Sequence, residues 1–505
     1  MYGPVHRPVR GNPYAGSRQA RSRPLLVAGA VLIALLLVGG GVFLVTRGDG
    51  DGGDGAEAAR TPSPHASGTA EGDAKPARPE PSASAPDHWA KDVNGERKPG
   101  EAKVWRALNT GAVPGNGASL HDVWTVGGTL VQAGYKDITA YRVADGSVAW
   151  SVEAPAKICD TPVNPTPDGK VVIAYKAGTS ENAKCNQLQM IDLRTGDKGW
   201  HKELTEHSIM DSTLIVHLAI SKDTVLVGQN MMAYAYRVSD GKHLFTSKKE
   251  FKGSCYPEDV AGGARLLEID SCGVSAPKPF SQLKELDPET GRVKWRYVGK
   301  KGVSISKVYS VDPVVVTLKD REDMDHWTVV ALDDRGKLRS RLKFGSHVFE
   351  ECEGSGDSGR GAQNCSGAAV GADRFYLSTE PKDGSLGANR IVAFDLGSGK
   401  VKWASGSGSY QLQPLRAEGS GKKAKVVTYA RAATGKAGRT VRFGPRGGEP
   451  EVLLKHPAAA AKVESGMFAA TTLYRDGRFF VAPSRLDGNS YDDEPERSRL
   501  LSVGR

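Results

Sequence analysis

The sequence predicts an all-β fold, an eight-bladed β-propeller that follows a single N-terminal transmembrane helix. Three observations carry this prediction: a hairpin motif that recurs along the chain, strand-like runs between its copies, and an incomplete last copy whose missing strand has a candidate near the start of the repeat region. The chain has 505 residues, too many for one ordinary hydrophobic core unless the fold is a repeat array or a closed ring.

The recurring motif is a glycine turn followed four residues later by an aromatic side chain. Tryptophan occupies that anchor position in four copies: ADGSVAW (Trp150), RTGDKGW (Trp200), ETGRVKW (Trp295) and GSGKVKW (Trp403). A fifth copy has Phe245 there, and a sixth keeps only the glycine and has Ser340. Two strands joined by a turn that needs a glycine at positive φ are typical of a β-hairpin.

The spacing of the anchors indicates the architecture. Successive anchor positions are separated by 50, 45, 50, 45 and 63 residues. Runs rich in β-branched and aromatic residues, such as KVVIAY and RFYLST, lie upstream of the hairpins, so each unit has four short strands. Such a period favours propeller blades over a helical solenoid. A degenerate seventh unit follows and has Val452 near the anchor position.

The eighth unit lacks its fourth strand, and the other end of the repeat region supplies a candidate. This unit begins with TTLYRDGRFFVAP and stops at RLLSVGR, before any further turn. Residues 101–108, EAKVWRAL, resemble a fourth strand, and their Trp105 lies 45 residues before Trp150. We therefore expect this strand to complete the last blade, which closes the ring and leaves no open edge. A seven-bladed ring is the alternative.

The N-terminal region predicts a membrane anchor. Leu25 to Val45 is an uncharged apolar stretch long enough to span a bilayer, so we assign residues 25–46 to a transmembrane helix. Residues 1–24 contain five arginines and no acid, so the positive-inside rule predicts a cytoplasmic basic tail and an extracytoplasmic remainder at the cell membrane. A cleaved signal peptide is the alternative. Residues 47–100 have the composition of a disordered linker, and residues 101–505 form the predicted propeller.

Three of the hairpins, IDLRTGDKGW, LDPETGRVKW and FDLGSGKVKW, resemble a known repeat. They are similar to the tryptophan-docking repeat of the pyrroloquinoline quinone (PQQ) enzymes and of the related outer-membrane assembly factor B. The resemblance covers residues 101–505 and implies an eight-bladed ring in which anchors pack between neighbouring blades. The anchors in this sequence are Trp105, Trp150, Trp200, Phe245, Trp295 and Trp403. Such rings host enzymes, scaffolds and sensors alike, so the resemblance is specific for fold only.

The six cysteines lie in every second blade and on the predicted extracytoplasmic side, where disulfides persist. Six cysteines allow 15 pairings, and same-blade pairing alone respects the alternation. That pairing joins Cys159 to Cys185, Cys255 to Cys272 and Cys352 to Cys365. In the fold of the resembled family, the links that carry them share one face of the ring. No CxxC or HxxxH spacing accompanies them, so a zinc site is not predicted.

The sequence is compatible with two functions from different classes, a binding module and a quinone-dependent enzyme. The quinone enzymes resembled here hold their cofactor with two adjacent, disulfide-linked cysteines, a calcium ion bound by Glu and Asn, and a catalytic Asp. This sequence has no adjacent cysteines, and the Glu, Asn and Asp set cannot be placed by motif. We therefore expect a non-catalytic scaffold or binding module without cofactor or metal. The alternative is a PQQ-dependent oxidoreductase.

The expected partners follow from charge and loop length. The chain has a net charge of +10, of which the tail supplies half, so no clustered basic face for nucleic acid is predicted. The predicted partners are the membrane, through the anchor, and an unidentified protein or small ligand. We expect the latter on the face that carries the disulfides and the four long loops at residues 176–186, 319–327, 380–389 and 485–497.

Overall fold

The computed structural model describes most of the chain from His88 onward. The described residues are 88–505 except for 110, 112, 116, 181, 248–249, 251–253, 352–360, 364, 382–386, 468–469 and 487–497. The predicted basic tail, the transmembrane helix and most of the predicted linker therefore lie outside the described residues. Within the described ranges, no helix is both long and apolar enough to cross a membrane.

Eight four-stranded antiparallel sheets form the described structure, and each corresponds to one predicted blade. The chain enters through α1 (His88–Gly95), β1 (Lys103–Leu108) and the short β2 (Ala118–Ser119). Blade 1 consists of β3 (Val123–Val126), β4 (Thr129–Ala133), β5 (Asp137–Arg142) and β6 (Val148–Glu153). Blade 2 consists of β7 (Ile158–Asp160), β8 (Lys170–Tyr175), β9 (Gln187–Asp192) and β10 (Lys198–Glu203).

The middle blades repeat this meander, in which each strand pairs with the next. Blade 3 consists of β11 (Val216–Ser221), β12 (Thr224–Gln229), β13 (Met232–Arg237) and β14 (His243–Ser247). Blade 4 consists of β15 (Cys255–Ala261), β16 (Leu266–Cys272), β17 (Phe280–Leu286) and β18 (Val293–Val298). Blade 5 consists of β19 (Val303–Val311), β20 (Val314–Asp320), β21 (Trp327–Leu332) and β22 (Leu338–Arg341).

The remaining strands complete the ring. Blade 6 consists of β23 (Ala368–Val370), β24 (Arg374–Ser378), β25 (Ile391–Asp395) and β26 (Val401–Ser405). Blade 7 consists of β27 (Leu412–Glu418), β28 (Lys425–Ala430), β29 (Arg439–Phe443) and β30 (Glu451–Lys455). Blade 8 contains β31 (Thr471–Arg475), β32 (Arg478–Ala482) and β34 (Ser498–Gly504), while β33 (Arg485–Leu486) pairs with β2. Helical elements are α2 (Ala461–Ser465) and three 3-10 turns, Ile209–Asp211, Gly421–Lys423 and Ala458–Ala460.

The N-terminal strand closes the ring, as the sequence predicts. Blade 8 has the strand order β31-β32-β34-β1, and Trp105 of β1 lies opposite Ser502 of β34. Side chains also join blade 8 to blade 1, because Arg499 donates hydrogen bonds to Gln132 Oε1 (3.0 Å) and Asp137 Oδ2 (2.8 Å). The eight-bladed all-β prediction is therefore confirmed, and the seven-bladed alternative is wrong.

The predicted linker ends earlier than residue 100. Residues 88–95 form α1, whose Val93 is buried against blade 8 and whose Trp89 ring lies 4.4 Å from the Arg106 guanidinium carbon. The amide of Asn94 donates to Val104 O (2.8 Å) and accepts from Val104 N (2.9 Å), so it satisfies the outer edge of β1. The prediction of disorder across residues 88–100 is wrong because this edge offers polar and apolar partners that linker composition does not reveal.

Each aromatic anchor packs on the turn glycine of the following blade. A Cβ built on Gly196 (φ 77°) would lie 2.6 Å from a ring atom of Trp150, and one built on Gly241 (φ 73°) would lie 2.7 Å from Trp200. The same contact joins Trp105 to Gly146, Phe245 to Gly291, Trp295 to Gly336 and Trp403 to Gly447. A glycine is required twice over here, because the turn needs positive φ and the ring occupies the space of a side chain.

A hydrogen bond accompanies this packing at several seams between blades. Trp105 Nε1 donates to Val143 O (3.0 Å), and Trp200 Nε1 donates to Val238 O (2.7 Å). In the sixth copy, Ser340 Oγ donates to Leu396 O (2.7 Å). Every one of these carbonyls lies three residues before the turn glycine of the next blade. Ser340 thus keeps the polar half of the docking interaction without the ring.

The seam between blades 7 and 8 replaces the anchor with a buried polar network. Val452 is largely exposed, whereas His456 and Glu464 are buried, with 2.7 Å between Nδ1 and Oε1. Tyr429 also donates to Glu464 Oε1 (2.7 Å), and His456 Nε2 lies 3.0 Å from Thr440 Oγ1. Helix α2 carries Glu464 into the seam from the link between the two blades, at the end opposite the docking turns.

Ring closure predicts how truncation affects stability. A chain that begins at residue 96 loses α1, whereas one that begins at residue 110 also loses β1 and the buried Trp105 ring. Burial of one core aromatic is worth about 3 to 5 kcal/mol, so we expect a modest fall in melting temperature for the first chain and a large fall with aggregation for the second. Thermal unfolding and light scattering, with a chain starting at residue 88 as reference, measure both effects. Equal melting temperatures for the 88 and 110 chains would contradict closure by β1.

The docking glycines allow a matched comparison. Gly196 and Gly477 have almost the same φ, 77° and 76°, but only Gly196 has a ring within contact distance of its missing Cβ. An alanine at either position adopts the left-handed backbone at a cost of about 1 to 2 kcal/mol. We expect Gly196→Ala to destabilise the protein clearly more than Gly477→Ala, because Trp150 must also move. Denaturant unfolding measures the difference, and equal losses would show that the ring contact contributes nothing.

Candidate functional site

The two faces of the ring carry different links. In an antiparallel blade, the link between the second and third strands lies at the same end as the link to the next blade. We call this end the loop face; it includes the four long loops predicted from the sequence, residues 176–186, 319–327, 380–389 and 485–497, so far as these are described. The glycine turns of the docking motif lie at the opposite end.

Two of the three predicted disulfides are present and lie on the loop face. Cys159 of β7 is bonded to Cys185, just before β9, and Cys255 of β15 is bonded to Cys272, directly opposite on β16. Cys365 is also disulfide-bonded, but Cys352 lies outside the described residues. The Cys352–Cys365 pair therefore stays a prediction.

A cavity of about 500 Å³ opens where the loop face meets the central channel. The first strands of neighbouring blades contact one another, β7 with β11 and β11 with β15, so these strands line the centre of the ring. Apolar wall atoms come from Leu214, Ile215, Val216 and the disulfide Cys159–Cys185. Polar and charged groups come from Lys157, Lys176, His217, Glu258, Asp259, Ser306 and Lys307.

The two carboxyl groups of the cavity differ in exposure, because Glu258 is exposed and Asp259 is half-buried. Burial raises the pKa of Asp259, while the nearby charges of His217 and Lys307 and the N–H groups of Val260 and Ala362 oppose that rise. Burial also raises the pKa of Glu258, and Arg321 opposes it. The surrounding protein thus disfavours the charged form of both carboxyl groups.

A short segment before blade 6 forms the far side of the cavity. Gly361 lines the cavity and accepts a hydrogen bond from Lys307 Nζ (3.4 Å), and Ala362 O accepts from Val308 N (2.8 Å). The side chain of Gln363 then exchanges two hydrogen bonds of 2.8 Å with the backbone of Gly262. Asn164 of blade 2 donates to the same Gly262 carbonyl (3.1 Å). These bonds cross the end of the channel opposite the loop face.

His217 lies beside Gly361 in this wall. Its Nδ1 is buried and has no hydrogen-bond partner among the described residues. A Cβ built on Gly361 would lie 3.7 Å from His217 Nδ1 and 3.9 Å from Asp259 Oδ1. A side chain at position 361 would therefore pack against both groups.

The cavity residues do not match the quinone site that the resemblance implies. The disulfide at the cavity joins cysteines 26 residues apart instead of adjacent ones. In the part of the chain that the structure describes, no group of three or more His, Cys, Asp or Glu side chains is arranged to hold a metal ion. The donor set for a calcium-bound quinone therefore does not fit this cavity.

Sequence reasoning did not find the charged residues of the cavity. They come from four blades, and each follows an ordinary strand pattern by itself. One local signal was present: the adjacent acids Glu258 and Asp259 interrupt β15, where an inner strand is expected to be apolar or alternating.

A second charged cluster lies within blade 4 and is closed to solvent. Lys284 of β17 is buried with Glu268 (2.5 Å) and Asp270 (2.9 Å) of β16. Burial lowers the pKa of Lys284, but the attraction of the two carboxylates outweighs it, so the pKa is raised overall. Burial also raises the pKa of Glu268. Ser247 of blade 3 donates to Glu268 Oε1 (2.8 Å), which ties the cluster to the neighbouring blade.

The repeat, the docked aromatic anchors and the eight closed blades define an eight-bladed β-propeller whose blades are joined by aromatic docking. More particularly, residues 92–248, which contain β1 and blades 1 to 3, match the family model described as outer membrane protein assembly factor BamB. The predicted resemblance to the PQQ-like β-propeller family is thereby confirmed. A search of curated proteins finds no match.

Solved structures with low sequence identity align with the chain. BamB from Moraxella catarrhalis is 15% identical, with 80% of this chain and 98% of that chain covered and a TM-score of 0.43. Quinohemoprotein alcohol dehydrogenase from Comamonas testosteroni is 13% identical, with 80% and 76% covered and a TM-score of 0.45. An assembly factor and an enzyme both occur among them, so these alignments do not assign a function.

The buried charged cluster of blade 4 predicts a pH effect on stability. Lys284→Met leaves two buried carboxylates without their cation, so we expect a loss of about 3 to 5 kcal/mol, against less than about 1 kcal/mol for the exposed Lys278→Met. Because the folded pKa of Glu268 is raised, stability declines as the pH rises from the ordinary pKa of Glu toward that raised value. We expect Glu268→Gln to remove this decline. Melting temperatures across this pH range test both points, and an unchanged slope in Glu268→Gln would contradict the second.

Proposed function

We propose that this protein is an extracytoplasmic, membrane-tethered binding module that holds a partner at its loop face. The observation that carries this proposal is the distribution of exposed apolar side chains. Nine large apolar side chains are exposed in the described part of the chain; six of them lie in the links of the loop face, and a seventh, Val298, is the last residue of outer strand β18 at that end. These seven are Ile209, Leu214, Ile215, Val274, Val298, Met324 and Val348.

Such a distribution is expected of a binding face. Apolar side chains scattered singly over a surface need no explanation, but their concentration at one end marks an interaction site. Leu338 and Val452, the other two exposed apolar residues, lie on outer strands at the start of β22 and β30. Leu338 and Val452 therefore serve as control positions for experiments on the loop face.

Rigidity also supports binding. The disulfides of blades 2 and 4 tie an inner strand to the neighbouring link on the loop face. A preorganised surface loses little conformational entropy when a partner binds, so more of the contact energy becomes affinity. The alternative, a quinone-dependent oxidoreductase, has the fold in its favour but lacks the matching donor set in the cavity, and it predicts quinone absorbance in the purified protein.

Site-specific photocrosslinking in intact cells tests the proposed binding face. A benzoyl-phenylalanine at position 214 or 348 on the loop face is expected to yield the same partner adduct on irradiation. The same group at position 338 or 452 is expected to yield none, because these positions lie on the outer wall. Equal labelling at all four positions, or none from the loop face, would contradict the proposal.

A further inference from the structure

We propose that the channel mouth binds the carboxyl-terminal end of a peptide, with its terminal carboxylate toward the lysines and an apolar side chain against Leu214 and Ile215. This inference rests on the proposed binding function and names the chemistry of the partner segment. The cavity of about 500 Å³ falls within the roughly 300 to 1,000 Å³ of small-ligand sites.

The apolar side of the cavity is built and held rigid. Leu214 and Ile215 are 63% and 65% exposed and directly precede β11. The polar groups of their link bond to one another: Glu206 Oε1 accepts from Thr213 N (2.7 Å), and Asp211 Oδ1 accepts from Ser208 N (2.7 Å). Bonds from Lys184 and Thr213 lower the pKa of Glu206 to about 2. The exposure of these apolar side chains therefore belongs to an ordered link.

The charged groups of the cavity favour a single negative charge. Three lysines and two carboxyl groups line the cavity, and Arg321 acts on Glu258 from outside. A carboxylate is attracted by this excess of cations, whereas a dianion such as phosphate meets Glu258 and Asp259 at close range. Charge complementarity thus favours a monoanion that also carries neutral polar groups.

The carboxyl group of Asp259 suits the backbone of a peptide. Asp259 lines the cavity, and a carboxylate can accept a hydrogen bond from a peptide N–H. A short peptide therefore combines the three features that match the cavity: an apolar side chain, a backbone amide and a carboxylate.

The test uses the full-length protein and three synthetic peptides in calorimetric titrations. The probes are N-acetyl-Gly-Leu-Leu with a free carboxyl terminus, the same peptide with a terminal amide, and N-acetyl-Gly-Gly-Gly with a free carboxyl terminus. We expect the first to bind, and the other two to bind at least about tenfold more weakly. Absence of binding by the first peptide at millimolar concentration, or equal affinity for its amide, would overturn the proposal. Competition by inorganic phosphate at equal affinity would also overturn it, since it would indicate a plain anion site.

Paired variants locate the site. Ile215→Ser and Lys307→Met are expected to weaken the free-acid peptide at least fivefold, while Val452→Ser and Lys402→Met on outer strands leave it unchanged. Lys176→Met serves as a second test if Lys307→Met unfolds, because Lys307 also contacts the Gly361 carbonyl. Equal loss in the outer-strand controls would overturn the assignment. Crosslinks from position 214 without peptide binding would refute this inference alone, whereas loss of both would also refute the proposed function.

Discussion

The packing of an aromatic anchor on the turn glycine of the next blade is the contact on which the propeller depends. The ring side chain comes from the outer strand of one blade and the glycine from the tight turn of the next, so one residue fixes the distance and the rotation between two sheets. The same glycine both forms the turn at positive φ and provides the surface on which the aromatic side chain packs. Where the aromatic side chain is missing, Ser340 keeps the hydrogen bond, and the seam of blades 7 and 8 holds the buried pair His456 and Glu464.

Charged side chains strengthen selected seams without adding to the binding surface. Arg265 bonds Glu285 within blade 4 and Asp312 and Asp334 of blade 5. Arg499 of blade 8 likewise bonds Asp137 of blade 1. Lys284 pairs with Glu268 within blade 4, and Ser247 of blade 3 donates to the same Glu268 carboxyl group (2.8 Å). Several of these bonds therefore cross a boundary between sheets, where an unpaired buried charge would be costly. These buried charges stabilise the propeller, whereas the charged groups that line the cavity at the channel mouth can contact a ligand.

The fold was predictable from the sequence because its information is periodic and local. The glycine turn and anchor lie four residues apart, and Trp105 marks residues 101–108 as a fourth strand that precedes blade 1 in the sequence. Helix α1 was not predictable, since its contacts with Val104 and Arg106 depend on an edge that exists only after the ring closes. The channel mouth was not predictable either, because His217, Asp259 and Lys307 belong to three blades and meet only in the centre.

Closure by β1 also dictates an order of assembly. The strand is made early, and its first contact, Trp105 on Gly146, needs only blade 1. Its hydrogen-bonding partner β34 starts 395 residues after β1, from Lys103 to Ser498. A contact over such a sequence separation forms slowly, because loop-closure entropy opposes it. Until then the inner edge of β1 stays available to β34 of another copy, so crowded nascent chains face exchange of their closing strands. Asn94 of α1 bonds the other edge of β1, which directs any such exchange to the inner edge alone.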